Sequence, residues 1–379
     1  MQKAYKLHGV HRHYDWGGTQ YIPKLMEVKN SDQKPFAEYW MGAHPSAPAK
    51  IETENGLLSI NDFGTIPYLF KVLDVAKMLS IQVHPSIENA IKGFEEEEKI
   101  GIAIDAANRN YKDKNHKPEV MVALSDFWLL HGFLAPELLS KRLNEYSSFH
   151  PLIDQFKGNN YQTLYRFFMQ LPTPAADAIL KPLLMDAVAS VTTGKVDKSH
   201  PHWWANKYYN GIVPEGAIDK GIFSIYILNI VAVKKYQGVF QGAGLLHAYL
   251  EGQNIELMAN SDNVLRGGLT PKHIDIQELL KHVQFVPTYP NVLNGAPINN
   301  IETRYPCPVA DFGLTKIALE AGEAYTINTH GLEMLLTIEG QVWIDGLEYK
   351  AGEVAMAKAN QEIAIKATKP SVIFKSFVP

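Results

Sequence analysis

The sequence predicts a mainly β protein in two halves: an antiparallel β-barrel interrupted by a helical insertion, then a second, related barrel. Three observations carry this. Short β-branched and aromatic runs broken by Gly, Pro and Asn fill the chain from Met1 to about Leu134. From Ala135 to about Val191 the apolar period becomes helical. The C-terminal stretch returns to strand signals with closely spaced turns at Glu339-Gly340, Asp345-Gly346 and Ala351-Gly352, the rhythm of a sandwich or barrel.

Within the first β region one helix is expected. Ser86 can cap "IENAIKGFEEEEKIGIAI", with Ile87, Ile91 and Phe94 at helical spacing and Glu95 to Glu98 as a solvated face. The insertion holds "APELLSKRLNEY", "NYQTLYRFFMQL" and "PLLMDAVASV", with Pro172, Pro174 and Pro182 separating helices. "TTGKVDKSHPHWWANKYYNGIVPEG" reads as a loop-rich return in which Trp203 and Trp204 pack. The β pattern resumes at Ile222 and runs to about Met258, and "TPKHIDIQELLKHV" gives one more helix. "YQGVFQGAGLLHAYLEG" and "YKAGEVAMAKANQEIAI" share a strand, turn, strand plan, but the second lacks the histidine, as expected of two related barrels of which one has lost its site. The expected units are 1–134 and 211–283 for the first barrel, 135–210 for the insertion and 284–379 for the second barrel.

The chain has 379 residues, more than one average domain, with 46% hydrophobic and 20% charged residues, ordinary for a globular protein. Its net charge is 36 minus 40, or -4, which argues against nucleic acid or a membrane surface as partner while allowing a local basic pocket for an anionic metabolite. Cys307 is the one cysteine, so a thiolate metal cage is excluded within the chain and any metal must use nitrogen and oxygen ligands. The opening "MQKAYKLHGVHRHYDWGG" has no apolar stretch of signal-peptide length, and no run reaches a membrane span; a cytoplasmic protein is expected.

Chemistry concentrates in three stretches. In "LSIQVHP" alternation puts Leu79, Ile81 and Val83 on a packing face and Ser80, Gln82 and His84 on a polar one. Buried polar groups need partners, and a metal ion would satisfy a ring nitrogen and an amide oxygen about 7 Å apart along a strand. Taken alone, such a pair is more often a hydrogen-bonded core feature. "YKDKNHKPEVMVAL" places Glu119 at a strand entrance behind Lys117 and His116. "GAGLLHAYLEGQNIELMANSDNVLRGGLTPKHID" carries His247 after a glycine-rich turn, Glu256 on the next strand, and Asp262 and Arg266 in a loop. "GAGLLH" fails as a dinucleotide fingerprint because a strand follows it, and HExxH, a Walker loop and GxSxG are all lacking.

These three blocks, in this order, resemble the signature blocks of type I mannose-6-phosphate isomerases, zinc enzymes of the cupin superfamily. "YDWGG" and "FAEYWMGAHPSAP" resemble them too, and the likeness runs end to end. The resemblance implies two cupin-like jelly-roll barrels plus a small helical domain, the second barrel without metal. It implies one Zn²⁺ per chain on Gln82, His84, Glu119 and His247, a catalytic Arg266, and a sugar-phosphate pocket that includes Lys71, Ser80, Lys117, Glu256 and Asp262. Two departures, Gly after the arginine in "VLRGGLTPK" and "KKYQGVFQG" before His247, touch turns and leave the ligand set intact. The other histidines His11, His13, His44, His116 and His131 are expected to be non-ligands.

The residues themselves agree with that set. Two imidazoles, an amide and a carboxylate leave the site positive, and a four-ligand set without cysteine suits a catalytic ion. Moving a proton between C1 and C2 of a sugar through an enediolate requires stabilisation of the growing oxyanion, for which the metal and Arg266 are suited. A base must serve both carbons; Glu256 and Lys117 rank ahead of Asp262. Lys71, Ser80 and Lys117 are the expected phosphate edge. The expected partner is a small sugar phosphate and the expected state a monomer, an oligomer remaining open. Two alternatives stand beside this: a metal cupin oxygenase, against which Gln82 speaks, and a sugar-phosphate sensor without chemistry.

Overall fold

A computed structural model describes residues 2–379. The fold is mainly β with a helical insertion, and its two barrels are antiparallel throughout. The first is built from a ten-stranded sheet. Its long strand His247–Ala259 pairs along its length with Tyr68–Val75 and Glu119–Ala123, and at its start with Ile81–Val83 and Phe127–Phe133. Leu265–Gly268 closes on Ile81–Val83, and Gly238–Gln241 on Glu119–Ala123. The second barrel combines a nine-stranded and a four-stranded sheet.

The nine-stranded sheet crosses the divisions expected from the sequence. Ala4–His8 pairs with Val354–Ala357 on one side and with Lys50–Thr53 on the other, so early residues complete the sheet of the last segment. Between the two large sheets lies one apolar layer that includes Phe70, Val72, Val120 and Ile255 from the first barrel and Leu314, Leu336 and Phe374 from the second.

The helices confirm the insertion but correct its detail. Pro136–Glu145, Tyr161–Gln170 and Thr173–Thr192 occupy the expected stretch, yet Pro182 lies inside the last of these instead of ending it. An interior proline costs about 3 kcal/mol; here Ile179, Leu180, Leu183 and Leu184 around it are buried in the insertion core and offset that loss. The supposed loop around the two tryptophans contains a helix, Pro201–Tyr208, started by a proline at its first turn and by the His200 ring accepting from the His202 amide. The apolar run at Ile222, expected as strand, is the helix Gly221–Ile227; all seven residues are buried, and a segment covered on every side shows no period to read.

Ile87–Ile100 is helical, capped by the Ser86 hydroxyl accepting from the Asn89 amide. Its buried face is rotated from expectation: Ile91 is exposed, whereas Glu97 is buried and accepts from the amides of Asn110 and Tyr111 beside Arg109. A carboxylate with that many donors is stable in the interior. A short helix, Tyr21–Leu25, carries no sequence signal we read, and Ile276–His282 forms as expected behind its Asp275 cap. Among the described residues no helix is long and apolar enough to cross a membrane.

Candidate functional site

Three strand ends bring the site together. His84 follows the strand Ile81–Val83, Glu119 opens Glu119–Ala123 and His247 opens the long strand. Ile81 and Val83 bury their side chains against the helical insertion, which turns Gln82 and His84 to the opposite face. Leu79, expected on the packing face, lies before the strand; it packs against the core around Phe127 and Tyr249 and also borders the cavity described below.

One ligand atom from each of His84, Glu119 and His247 lies within 4.8 Å of the others, and all three residues are buried. His84 Nδ1 donates to the Asn263 carbonyl and His247 Nδ1 to the Leu245 carbonyl, each at 2.8 Å. Because a carbonyl only accepts, both rings carry their proton on Nδ1 and turn Nε2 inward. Those Nε2 atoms stand 3.3 and 3.4 Å from the two oxygens of Glu119 and have no hydrogen-bond donor. Protonating them would relieve the arrangement, but burial lowers the His84 pKa to about 4 despite the neighbouring carboxylate. Glu119 is itself ionised: burial pushes it up, yet Lys117 and the two rings hold it well below the usual carboxylate range. Two bare nitrogens and a charged carboxylate converging in a dry interior fit a divalent cation.

Gln82 belongs to the same face. It pairs in register with His247 on one side and with Arg266 on the other, and it lines the same cavity as Glu119. That cavity, about 800 Å³, is also lined by Lys71, Ser80, Lys117, Glu256 and Arg266. Of the residues expected from the sequence, Asp262 is the one set apart. It is not in the cavity wall; its carboxylate is half-exposed and 3.4 Å from the His44 ring, whose hydrogen bond lowers its pKa.

Inside the cavity the charges are tied to one another. Lys71 Nζ lies 2.7 Å from Glu256 Oε2 and 3.8 Å from Glu38, and Tyr249 donates to Glu256 Oε1 at 2.8 Å. Burial raises the Glu256 pKa, opposed by Lys71 and reinforced by Glu119. Lys117 Nζ lies 3.2 Å from Glu119 Oε1. Lys71 and Lys117 are therefore committed to carboxylates. Lys207 is bound to Glu251, so among the described residues Lys77, Arg266 and Lys272 are the cavity lysines and arginine without an ion pair.

The far wall comes from residues that the sequence reading missed: Lys207, Tyr208 and Asn210 at the end of the tryptophan-containing helix, and Thr270 to Lys272 after the arginine strand. Asp219 joins these two segments. Its Oδ1 accepts from the amides of Gly221 and Leu269, at 2.7 and 2.8 Å, and its Oδ2 from the Thr270 amide at 2.9 Å and the Tyr208 hydroxyl at 3.2 Å. The approach is close enough to require glycine: a Cβ on Gly268, at φ +127, would lie 2.4 Å from Gly221 Cα. The only advance signal was the glycine pair itself in "LRGGL". The remaining histidines act elsewhere. His116 pairs with Asp311, His11 stacks on Tyr39, and His131 faces His247 in register without joining the cluster; only His13 reaches the cavity wall.

A sequence model described as phosphomannose isomerase type I, catalytic domain, matches residues 4–135. Over 380 residues the chain is 35% identical to a mannose-6-phosphate isomerase of Salmonella typhimurium, covering 94% of this chain and 95% of that one. It is 34% identical over the same length to a mannose-6-phosphate isomerase of Escherichia coli, with 94% and 95% covered. A crystal structure of mannose 6-phosphate isomerase from Salmonella typhimurium, bound to fructose 6-phosphate and zinc, superposes with a TM-score of 0.85 at 32% identity over 99% of each chain.

Proposed function

The chain belongs to the type I phosphomannose isomerases, and from that premise we propose how its side chains divide the work of interconverting mannose 6-phosphate and fructose 6-phosphate. The enzyme is a zinc-dependent aldose-ketose isomerase. His84, Glu119 and His247 would hold the ion, with the Gln82 amide oxygen as fourth ligand. Bound there, zinc supplies Lewis-acid stabilisation of negative charge on a sugar oxygen. The observation that carries this reading is the pair of donorless Nε2 atoms facing the Glu119 carboxylate.

Arg266 faces the cavity without a carboxylate partner, so its guanidinium is free to donate to the enediolate oxygens as charge grows. Glu256 is our choice of base. Burial and the charge on Glu119 raise its pKa toward the working range of a proton carrier, and Lys71 and Tyr249 hold its two oxygens in place. Lys117 acts on Glu119 and is the second candidate. Asp262 stands third: it is outside the wall, yet Lys117 and Lys71 both act on its carboxylate. For the phosphate, Ser80 keeps its place at the edge, while the cationic contact shifts from Lys71 and Lys117 to the unpaired Lys77 and Lys272.

We place the enzyme in the cytoplasm as a monomer, with residues 1–134 and 211–283 as the catalytic unit apart from Ala4–His8, Lys50–Thr53 and Gly56–Ser59, which join the sheet of the metal-free barrel 284–379, and with 135–210 as the insertion supplying part of the wall. The decisive test is chelation. EDTA should abolish turnover of mannose 6-phosphate, and stoichiometric zinc should restore it. Protein that turns over equally well after verified metal removal would refute the reading.

A further inference from the structure

The second barrel carries a polar cluster at one end that the isomerase reaction does not use. Glu302, Thr315, Glu333 and Lys375 are buried there and line a cavity of about 310 Å³ together with Asn328 and Arg304. Lys375 lies opposite Thr315 on one neighbouring strand and Leu335 on the other, the face that holds the barrel interior. Glu302 is fully engaged: Oε1 accepts from Thr315 at 2.6 Å and lies 3.1 Å from Lys375 Nζ, and Oε2 accepts from Tyr325 at 2.8 Å. Glu333 is not. Its Oε1 accepts from the His330 amide at 3.2 Å, but Oε2, on a residue only 2% exposed, has no hydrogen-bond donor, and Lys375 Nζ stands off at 3.7 Å.

A buried acceptor without a donor calls for a ligand that brings one. A divalent cation does not suit, because an ammonium already sits between the two carboxylates. An anion does not suit either, because the buried end of the cavity presents two carboxylates to one lysine, while Arg304 and His330 are exposed at the rim. A hydroxyl does, because it is uncharged, donates and accepts from a single atom, and so can bridge Glu333 Oε2 and Lys375 Nζ. We propose that this cavity binds a neutral polyhydroxylated ligand of monosaccharide size, one hydroxyl of which donates to Glu333 Oε2 and accepts from Lys375 Nζ. The cavity is at the small end of ligand sites, which excludes nucleotides and favours a single sugar or polyol. Exposed Asn328 and Arg304 at the rim supply further polar contacts.

The test uses full-length, zinc-loaded protein with its first cavity saturated by an equilibrium mixture of mannose 6-phosphate and fructose 6-phosphate. D-mannitol is then titrated while amide hydrogen exchange is followed. Saturable protection is expected at residues 328–333 and 371–377, and nowhere in the first barrel. Glu333→Leu, which removes the open acceptor and leaves Lys375 on Glu302, should weaken binding by at least about tenfold. Asn328→Trp should block the mouth and abolish protection without touching the ion pairs, so it decides the matter even if the first variant folds poorly. Turnover of mannose 6-phosphate should be unchanged in both. No saturable protection, protection that survives Asn328→Trp, or protection by manganese(II) in place of mannitol would overturn the proposal.

Discussion

The two barrels solve the same problem, charge inside a β-barrel, in opposite ways. In the first, two imidazoles present bare Nε2 atoms to one carboxylate, and the cluster lacks a cation of its own beyond Lys117 at its edge. In the second, Glu302 and Glu333 have Lys375 between them, 3.1 and 3.7 Å away. A lysine is bonded to the chain, so the second cluster meets its two carboxylates with one built-in cation on folding; the first keeps two bare ring nitrogens that only an ion from solution can fill. The difference sets a donor cluster fit for an ion in one barrel against a lysine-bridged acid pair in the other, and it separates the two by chemistry that mutation can exchange.

The largest effect should come from removing the charge that calls for the ion. Glu119→Gln is expected to lose zinc, read by metal analysis, and to lower kcat/KM by about 10³-fold or more. Acid should do the same to the native enzyme. His84 has a folded pKa of about 4, below the ordinary value of about 6.5, so the neutral ring is favoured above that value and stability and zinc affinity fall as pH drops through this window. Zinc retained at pH 4 would break the contrast between a borrowed and a built-in cation.

Arg266→Ala comes next, because it leaves the ligand cluster intact. We expect zinc content and melting temperature to be preserved while kcat falls by about 10²- to 10³-fold; loss of metal would instead make Arg266 part of the ion's support. In the second barrel, Lys375→Met strands two buried carboxylates and should cost about 3–5 kcal/mol of stability. The carboxyls would then have folded pKa values above their unfolded ones, so the variant should regain stability as pH falls and lose it as pH rises. A variant equally stable at all pH values would show that Lys375 does not balance the acid pair.

The smallest effect belongs to Asp219→Asn. It keeps the shape but replaces one of the two accepting oxygens with an amide that cannot accept, loosening the bond between the insertion and the loop after Arg266. KM should rise by about tenfold with zinc unchanged, and Asp219→Glu should not rescue it because the closely packed Gly221 and Gly268 leave no room. An unchanged KM would mean that the far wall is held by the helix packing alone.

What could be read from the sequence follows the range of the interaction. Ser80, Gln82 and His84 share a face by an alternation that is local, so that much was legible before any tertiary contact was known; Glu119 and His247 joined them only through the resemblance. Asp219 was invisible because its partners are backbone amides of Leu269 and Thr270, which any sequence would supply. The Gly221–Ile227 helix was misread because complete burial erases periodicity. Glu97 was misread because a run of glutamates suggests a wet surface, whereas Arg109 and two amides wait for one of them in the interior. The contact of Asp262 with His44 could not be read from the block, because the two residues are far apart in the sequence.

The pairing of Ala4–His8 with Val354–Ala357 reaches into the synthesis of the protein. Residues 4–8 leave the ribosome well before their hydrogen-bonding partner exists, so the sheet of the second barrel stays unfinished until Val354–Ala357 has been made. Until then the nascent chain presents an open strand edge, with the attendant hazard of pairing with a neighbour. Final assembly is a late, long-range event, and a folding rate slow for the protein's size is its signature.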